Sequence, residues 1–130
     1  MTARELRIGN YIDRNGLMEV RVISQSGVKI YDHVNNIFPP TFFDFDENIK
    51  PITLTEEWLL KFGFELLTDK KKGYKNTSYS HGKIPILLYW DGSRLSTTFW
   101  QGNEMRFVHQ LQNLIFALTG TELTIKINKP

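Results

Sequence analysis

Alternating apolar and polar residues near the start of the chain predict short β-strands. Residues 6–12 (LRIGNYI) and 17–24 (LMEVRVIS) flank Asn15-Gly16, a dipeptide typical of tight hairpin turns. A second turn leads into VKIY at 28–31. The pattern predicts a small three-stranded antiparallel unit, weakly similar to SH3-like barrels.

The next part of the chain is predicted as a connector followed by a short helix. Residues 32–50 show no clear hydrophobic period and contain Pro-Pro, so we expect a long loop there. Thr55 is a favourable N-cap, and Gly63 is placed to end a helix. These signals predict a helix over residues 56–62.

Four segments separated by turn-forming residues predict an antiparallel meander in the second half of the chain. They are FELL, YKNTSYSH, IPILLYW and RLSTTFW, at residues 64–67, 74–81, 84–90 and 94–100. IPILLYW is apolar on both faces and is expected at the centre of the sheet. TELTIKI near the C-terminus is predicted as a final strand or an extended tail.

The stretch VHQLQNLIFALTG predicts a C-terminal helix over residues 104–119, capped by Asn103 and ended by Gly120. One arc of this helix is apolar and is expected to face the sheet. Its members are Phe107, Val108, Leu111, Leu114, Ile115 and Leu118. A neighbouring flank mixes polar and apolar side chains: Met105, His109, Gln112, Asn113 and Phe116.

Two interpretations of this polar flank remain open. Half-buried polar groups need hydrogen-bond partners, so these side chains could tie down a nearby loop such as 32–50. Alternatively, the flank forms a surface for a protein partner or for a second copy of the chain. The residues of that surface would be His109, Gln112, Asn113 and Phe116.

Together these elements predict an α+β fold, in which an antiparallel β meander packs against the C-terminal helix. A small N-terminal β unit and a short middle helix complete it. We expect a single domain over residues 1–130, with an N-terminal β subregion at 1–50 and a helix–meander–helix subregion at 51–130.

Composition excludes several classes of protein. The chain has no cysteine, so disulfides and thiolate metal sites are excluded, and a reducing compartment such as the cytoplasm is favoured. The start of the chain, MTARELRIGN, has no apolar run, and the longest nearly apolar run is IPILLYW. Neither a signal peptide nor a membrane span is therefore predicted. The net charge of +2 is too small to indicate nucleic-acid binding by itself.

Motifs of catalytic and metal sites are missing from the sequence. The three histidines, His33, His81 and His109, have no paired spacing. Phosphate-binding loops, dinucleotide fingerprints, serine-hydrolase elbows and zinc-protease motifs do not occur. We therefore expect no enzymatic activity, no cofactor and no metal site.

One region supports an alternative function. Basic and aromatic residues interleave over 70–83 (KKKGYKNTSYSHGK), and cations can contact phosphates while aromatic faces stack on bases. This pattern indicates two alternatives: binding of a nucleotide-type or single-stranded nucleic-acid ligand, or an ordinary solvated turn rich in lysine. The candidate residues are Lys75, Tyr79, Lys83, Trp90 and Arg94.

Three strings resemble a known family: ELRIGNYI (5–12), ITLTEEWLLKFGF (52–64) and FVHQLQNLIFALTGTEL (107–123). Similar phrases, LRIGN, LTEEWLLKFGF and HQLQNLYFALTG, occur in this order in a family of small proteins from gut Bacteroidetes, their phages and integrated mobile elements. The resemblance implies a cytoplasmic accessory protein of a phage or mobile element and implies no particular reaction. The leading expectation is a non-catalytic protein that binds another protein or itself. The alternative is a protein that binds or sequesters a nucleotide-type or single-stranded nucleic-acid ligand, for example against host defence.

Overall fold

The computed structural model describes residues 3–45, 47–66, 77–90, 95–97 and 100–125. In these ranges the fold is α+β, with two antiparallel sheets and two α-helices. A 3₁₀ turn at Ala3–Glu5 precedes the first strand. In chain order the elements are β1 (Tyr11–Asp13), β2 (Leu17–Ile23), β3 (Gly27–Asp32), β4 (Ile37–Asp44), α1 (Glu56–Lys61), β5 (Glu65–Leu66), β6 (Thr77–His81), β7 (Ile84–Trp90), β8 (Leu95–Thr97), β9 (Trp100–Met105) and α2 (Val108–Thr119).

The chain forms two compact units. The first comprises Met1–Thr53 with Phe107–Leu114, and the second comprises Leu54–Arg106 with Ile115–Pro130. The boundary near Thr53 lies close to the predicted division at residue 50. The first turns of α2 belong to the N-terminal unit, however, whereas the sequence assigned the whole helix to the second subregion.

The first unit contains a four-stranded sheet in the order β1-β2-β3-β4. The predicted turn between β1 and β2 is confirmed, because Asn15 (φ 56°) and Gly16 (φ 133°) both adopt the positive φ that this dipeptide tolerates. One face of the sheet covers a core of Leu6, Ile12, Met18, Val20, Val28, Ile30 and Ile49. The sheet is open and is not a closed barrel.

Residues 32–50 are not a long loop, so this prediction was wrong. Residues 37–44 form β4, which pairs with β3 at one edge of the sheet. An edge strand tolerates proline because its outward N–H groups need no partner within the sheet. The strand was missed because most of its residues are exposed and therefore show no clean alternation of apolar and polar positions.

A glycine fixes how closely β3 and β4 approach. A Cβ atom at Gly27 would clash with the carbonyl oxygen of Phe43 and would lie 2.8 Å from Cζ of Phe42. Because the obstructing oxygen belongs to the paired strand, the strand itself would have to shift.

Replacing Gly27 by alanine is therefore expected to lower the free energy of unfolding by about 1–3 kcal/mol, as overpacking typically does. Gly82→Ala is the matched control, because a Cβ there meets no atom within 4 Å. Its expected change is within about 0.5 kcal/mol. Equal denaturant midpoints for the two variants would contradict the close packing of β3 on β4.

In the second unit the predicted short helix is confirmed. The side chain of Thr55 accepts a hydrogen bond from Trp58 N, which caps α1 at its start. At the other end Gly63 has φ 95°, and Phe64 N donates to Leu59 O at 2.9 Å, so the helix ends as its glycine predicted.

The five-stranded sheet of this unit has the order β5-β6-β7-β8-β9. The prediction that IPILLYW occupies the centre is confirmed, since this segment is β7. Residues 121–125 belong to no strand, and 126–130 lie outside the described residues. The predicted strand segments 67, 74–76, 94 and 98–99 also lie outside them.

The predicted start of the last helix was wrong. Residues 100–105 form β9, so Asn103 is not an N-cap, and α2 begins at Val108. Its start is stabilised from within, because Oε1 of Gln110 accepts a hydrogen bond from Phe107 N at 3.1 Å. The predicted end is confirmed: Gly120 has φ 73°, and its N–H donates to Phe116 O at 2.8 Å.

Candidate functional site

The buried side of α2 differs from the predicted apolar arc. Val108, His109, Leu111, Gln112 and Ile115 are all buried. Leu114 is half-buried and Leu118 is exposed. At 3.6 residues per turn, the buried arc is centred about 80° away from the predicted one. The helix therefore turns part of its polar flank inward.

The inward-facing amide of Gln112 pairs with backbone groups at the start of β1, in the way that a neighbouring strand would. Its side chain is fully buried. Oε1 accepts a hydrogen bond from Tyr11 N at 2.8 Å, and Nε2 donates to Gly9 O at 3.0 Å. One amide thus satisfies the N–H group of Tyr11 and the C=O group of Gly9 at the entrance to β1, and buried backbone groups require such partners.

Asn113 extends the same contact. Its Oδ1 accepts a hydrogen bond from Nδ2 of Asn10 at 2.8 Å, and its Nδ2 donates to Glu5 O at 3.1 Å. Asn10 is itself buried and accepts from Arg7 N at 2.7 Å. Gly9, with φ 97°, occupies the third position of the turn that Arg7 opens.

These hydrogen bonds show what two of the helix amides do in this fold: they hold residues 5–11. The expectation that polar side chains of this flank tie down a chain segment is met, but the segment is not 32–50. Two of the three strings that carry the family resemblance, 5–12 and 107–123, contact each other here. No local pattern in the sequence pairs these distant residues.

His109 is buried alongside this network. It is 3% exposed, its ring stacks on Phe107, and its buried Nδ1 has no hydrogen-bond partner among the described residues. Burial lowers the pKa of His109 below its ordinary value, and the nearby carboxylate of Glu5 partly opposes this effect. Folding therefore favours the neutral form of the His109 imidazole.

The free energy of unfolding is expected to fall as the pH drops below about 6.5. Below that value His109 binds a proton more readily in the unfolded chain than in the folded one. Its contribution to the free energy of unfolding is therefore complete above the unfolded pKa and is lost as the pH falls to the lower, folded pKa. Urea titrations between about pH 7.5 and about pH 5.5 measure this slope. His109→Gln should flatten it, and an unchanged slope would contradict the assignment.

Phe116 completes the predicted partner surface, and it is the one member of the four that is exposed, at 41%. His109 and Gln112 are buried, and Asn113 is half-buried. The structure therefore does not bring these four side chains together on an open face. Binding of a partner at this place stays a prediction that concerns Phe116 above all.

The residues predicted for a nucleotide-type ligand lie in the second unit. Tyr79 and Trp90 are buried, so neither offers a ring face to a base. Tyr79 instead donates a hydrogen bond from its hydroxyl to Oε2 of Glu56. Lys83 is exposed, whereas Lys75 and Arg94 lie outside the described residues.

A groove of about 480 Å³ lies next to Lys83. His81 lines it, but both ring nitrogens contact the backbone: Nδ1 accepts from Lys83 N at 3.1 Å, and Nε2 is 3.2 Å from Phe62 O. Since Nδ1 accepts, Nε2 carries the proton and donates to the carbonyl. This histidine therefore positions the β6–β7 turn and is not free to act as a base.

Three exposed apolar residues of the first unit lie close together in sequence at the β3–β4 hairpin. Val34 is 58% exposed, Ile37 is 50% exposed and Phe38 is 79% exposed. Val34 lies over the β1–β2 turn, where a Cβ at Gly16 would be 2.6 Å from its Cγ2. We call Val34, Ile37 and Phe38 the hairpin patch. The sequence did not predict this patch, because residues 32–50 show no clear hydrophobic period and were expected to form a loop.

A small cavity of about 60 Å³ opens beside this patch. Ile37 lines it together with Met18, Ile30, Thr41 and Phe43, and the two charged residues in its wall are Arg14 and Asp32. The guanidinium carbon of Arg14 lies 3.6 Å from the centre of the Phe43 ring. We call this cavity the Arg14 pocket.

Other classes of site find no support in the described part of the chain. Within it, no group of three or more histidine, aspartate or glutamate side chains is placed to hold a metal ion. None of its helices has the length and apolar character needed to cross a membrane. Comparisons of the chain with protein-family models, with curated proteins and with solved structures give no match.

Proposed function

We propose that this chain is a non-catalytic accessory protein, of phage or mobile-element origin, that acts in the cytoplasm by binding another protein through the hairpin patch. The observation that carries the proposal is the exposure of three large apolar side chains within five positions, Val34, Ile37 and Phe38. Single exposed apolar residues are ordinary on protein surfaces, whereas clusters mark contact sites.

The edge position of β4 supports recognition through side chains. An exposed edge strand usually invites another strand, but Pro39 and Pro40 remove two N–H donors from this one. A second copy of the chain cannot extend the sheet here by a continuous ladder. A partner that packs on Ile37 and Phe38 needs no such ladder. This argument favours a different protein over self-association.

The nucleotide alternative receives no comparable support. The two aromatic residues that were to stack on a base, Tyr79 and Trp90, are buried. Among the described residues of this predicted site, Lys83 is exposed and neither ring is, and a charge without an exposed ring gives no selectivity for a base.

The test compares two variants as bait in a lysate of the source cells. Ile37→Gln with Phe38→Gln removes two of the three apolar side chains of the hairpin patch, and the control, Leu60→Gln with Leu118→Gln, changes two exposed leucines of the second unit. Quantitative mass spectrometry should show a protein that the wild type and the control retain and that the patch variant loses. Thermal melts should show that all three chains are folded.

Sedimentation velocity of the same proteins separates the two forms of binding. A wild-type dimer that the patch variant dissociates would move the proposal from a different protein to a second copy. Identical retained proteins for wild type and patch variant, together with identical sedimentation, would overturn it.

A further inference from the structure

The charged guanidinium of Arg14 keeps hydrogen-bonding capacity that the described residues do not use. Its Nε is buried without a partner, and no ion pair joins it to a carboxylate among the described residues. Its position is nevertheless fixed. The Phe43 ring supports its flat face, and Arg14 N donates to Gly16 O at 3.1 Å in the β1–β2 turn. An arginine held in this way can donate hydrogen bonds to an acceptor group of a bound molecule without a large change in its own position.

Asp32, the other charged residue of the pocket, already accepts hydrogen bonds from the β3–β4 turn. Its Oδ1 accepts hydrogen bonds from Val34 N at 2.8 Å and Asn35 N at 3.0 Å, and its Oδ2 accepts from Nδ2 of Asn35 at 2.9 Å. The backbone and side-chain hydrogen bonds from Asn35 lower the pKa of Asp32. The β3–β4 turn therefore holds the carboxylate of Asp32, and among the described residues this carboxylate forms no ion pair with Arg14.

The size of the pocket limits what can enter. A protein cavity of about 150 Å³ holds benzene, so a space of this size is too small for an aromatic ring or a nucleobase. A carboxylate or a short aliphatic group fits it. The walls are apolar apart from Arg14, Asp32 and Thr41.

We propose that the Arg14 pocket binds an aspartate or glutamate side chain of the partner, in a segment whose neighbouring apolar residues lie on Ile37 and Phe38. Arginine is suited to this role because its planar N–H groups match the two oxygens of a carboxylate. The partner segment is thus acidic and apolar at once. The inference rests on the proposed function, because it requires that the hairpin patch is a protein-binding surface.

The experiment uses a displayed library of random peptides sorted for binding to the full chain. Selected peptides should be enriched in aspartate or glutamate beside leucine, isoleucine or valine. The best peptide is then synthesised and titrated against the variants by fluorescence anisotropy. Arg14→Gln should weaken it about tenfold or more, because charge-assisted hydrogen bonds are lost. Arg14→Lys should restore part of the affinity.

Arg21→Gln is the matched control, because Arg21 lies in the same unit but pairs with Glu19 at 2.7 Å. It should change the affinity less than about twofold, as loss of an exposed charge usually does. The acid of the peptide is also replaced by its amide. This replacement should weaken binding to the wild type and have little further effect on Arg14→Gln, because both changes remove the same interaction.

The outcomes distinguish the two proposals. Peptides that need Ile37 and Phe38 but neither Arg14 nor their own acid overturn the inference and leave the proposed function standing. Peptides that are indifferent to Ile37 and Phe38 count against the proposed function as well. A library without acidic enrichment, or one that yields no binder, overturns the inference.

Discussion

Replacing Leu111 by alanine is expected to lower the free energy of unfolding by about 2–5 kcal/mol, the cost of removing a fully buried leucine side chain. Leu111 has no exposed surface and lies at the centre of the first turns of α2. Leu118, which the apolar arc of the sequence placed on the same face, is 44% exposed. Leu118→Ala should change the free energy by less than about 0.5 kcal/mol.

Leu114→Ala provides the intermediate case. Its side chain is half-buried, so its cost should fall between those of the other two variants. Urea denaturation of the three single variants under one set of conditions measures the series. Equal losses at positions 111, 114 and 118 would show that the helix presents its leucines as the sequence pattern predicted. Such a result would contradict the orientation described above.

Replacing Gln112 by leucine should be of similar severity, with an expected loss of about 3–5 kcal/mol. The substitution keeps the bulk of the side chain but leaves Tyr11 N and Gly9 O without their partners. Each buried backbone group left unpaired costs about 1–3 kcal/mol. Because the amide supplies both a donor and an acceptor, glutamate is not expected to replace it.

Gln25→Leu is the matched control for this prediction. Gln25 is exposed in the β2–β3 turn, so the same change of side chain removes no buried hydrogen bond. Its expected effect is within about 0.5 kcal/mol. Amide hydrogen exchange adds a local readout: in Gln112→Leu, Tyr11 N–H should lose protection. Retained protection at Tyr11 would show that another group satisfies this N–H.

Local signals in the sequence determined much of the fold. Asn15-Gly16 set the first hairpin because few other residue pairs adopt two successive positive φ angles cheaply. Thr55 and Gly63 marked the ends of α1, and Gly120 marked the end of α2, since each acts on backbone groups within a few residues. The unbroken apolar run of β7 sufficed to place it at the centre of its sheet.

Where local signals allowed two kinds of element for the same residues, only the tertiary structure decided which of them forms. Phe42 and Phe43 belong to a strand because β3 offers a free edge beside them, although Pro39 and Pro40 argued locally for a loop. Residues 100–105 pair with β8 and so do not begin the last helix. Strand formation depends on a partner that lies elsewhere in the chain, so local patterns predict it less well than helix ends.

The candidate surfaces also depend on partners elsewhere in the chain, which local patterns do not reveal. The sequence identified Gln112 and Asn113 as residues that need partners, but those partners lie in the entrance to β1, 101 to 108 positions earlier. Burying an amide is favourable only when such groups meet it, and no local pattern encodes that meeting. The hairpin patch and the Arg14 pocket likewise exist only once β4 has paired with β3, which brings Ile37 and Phe43 to the same pocket as Arg14.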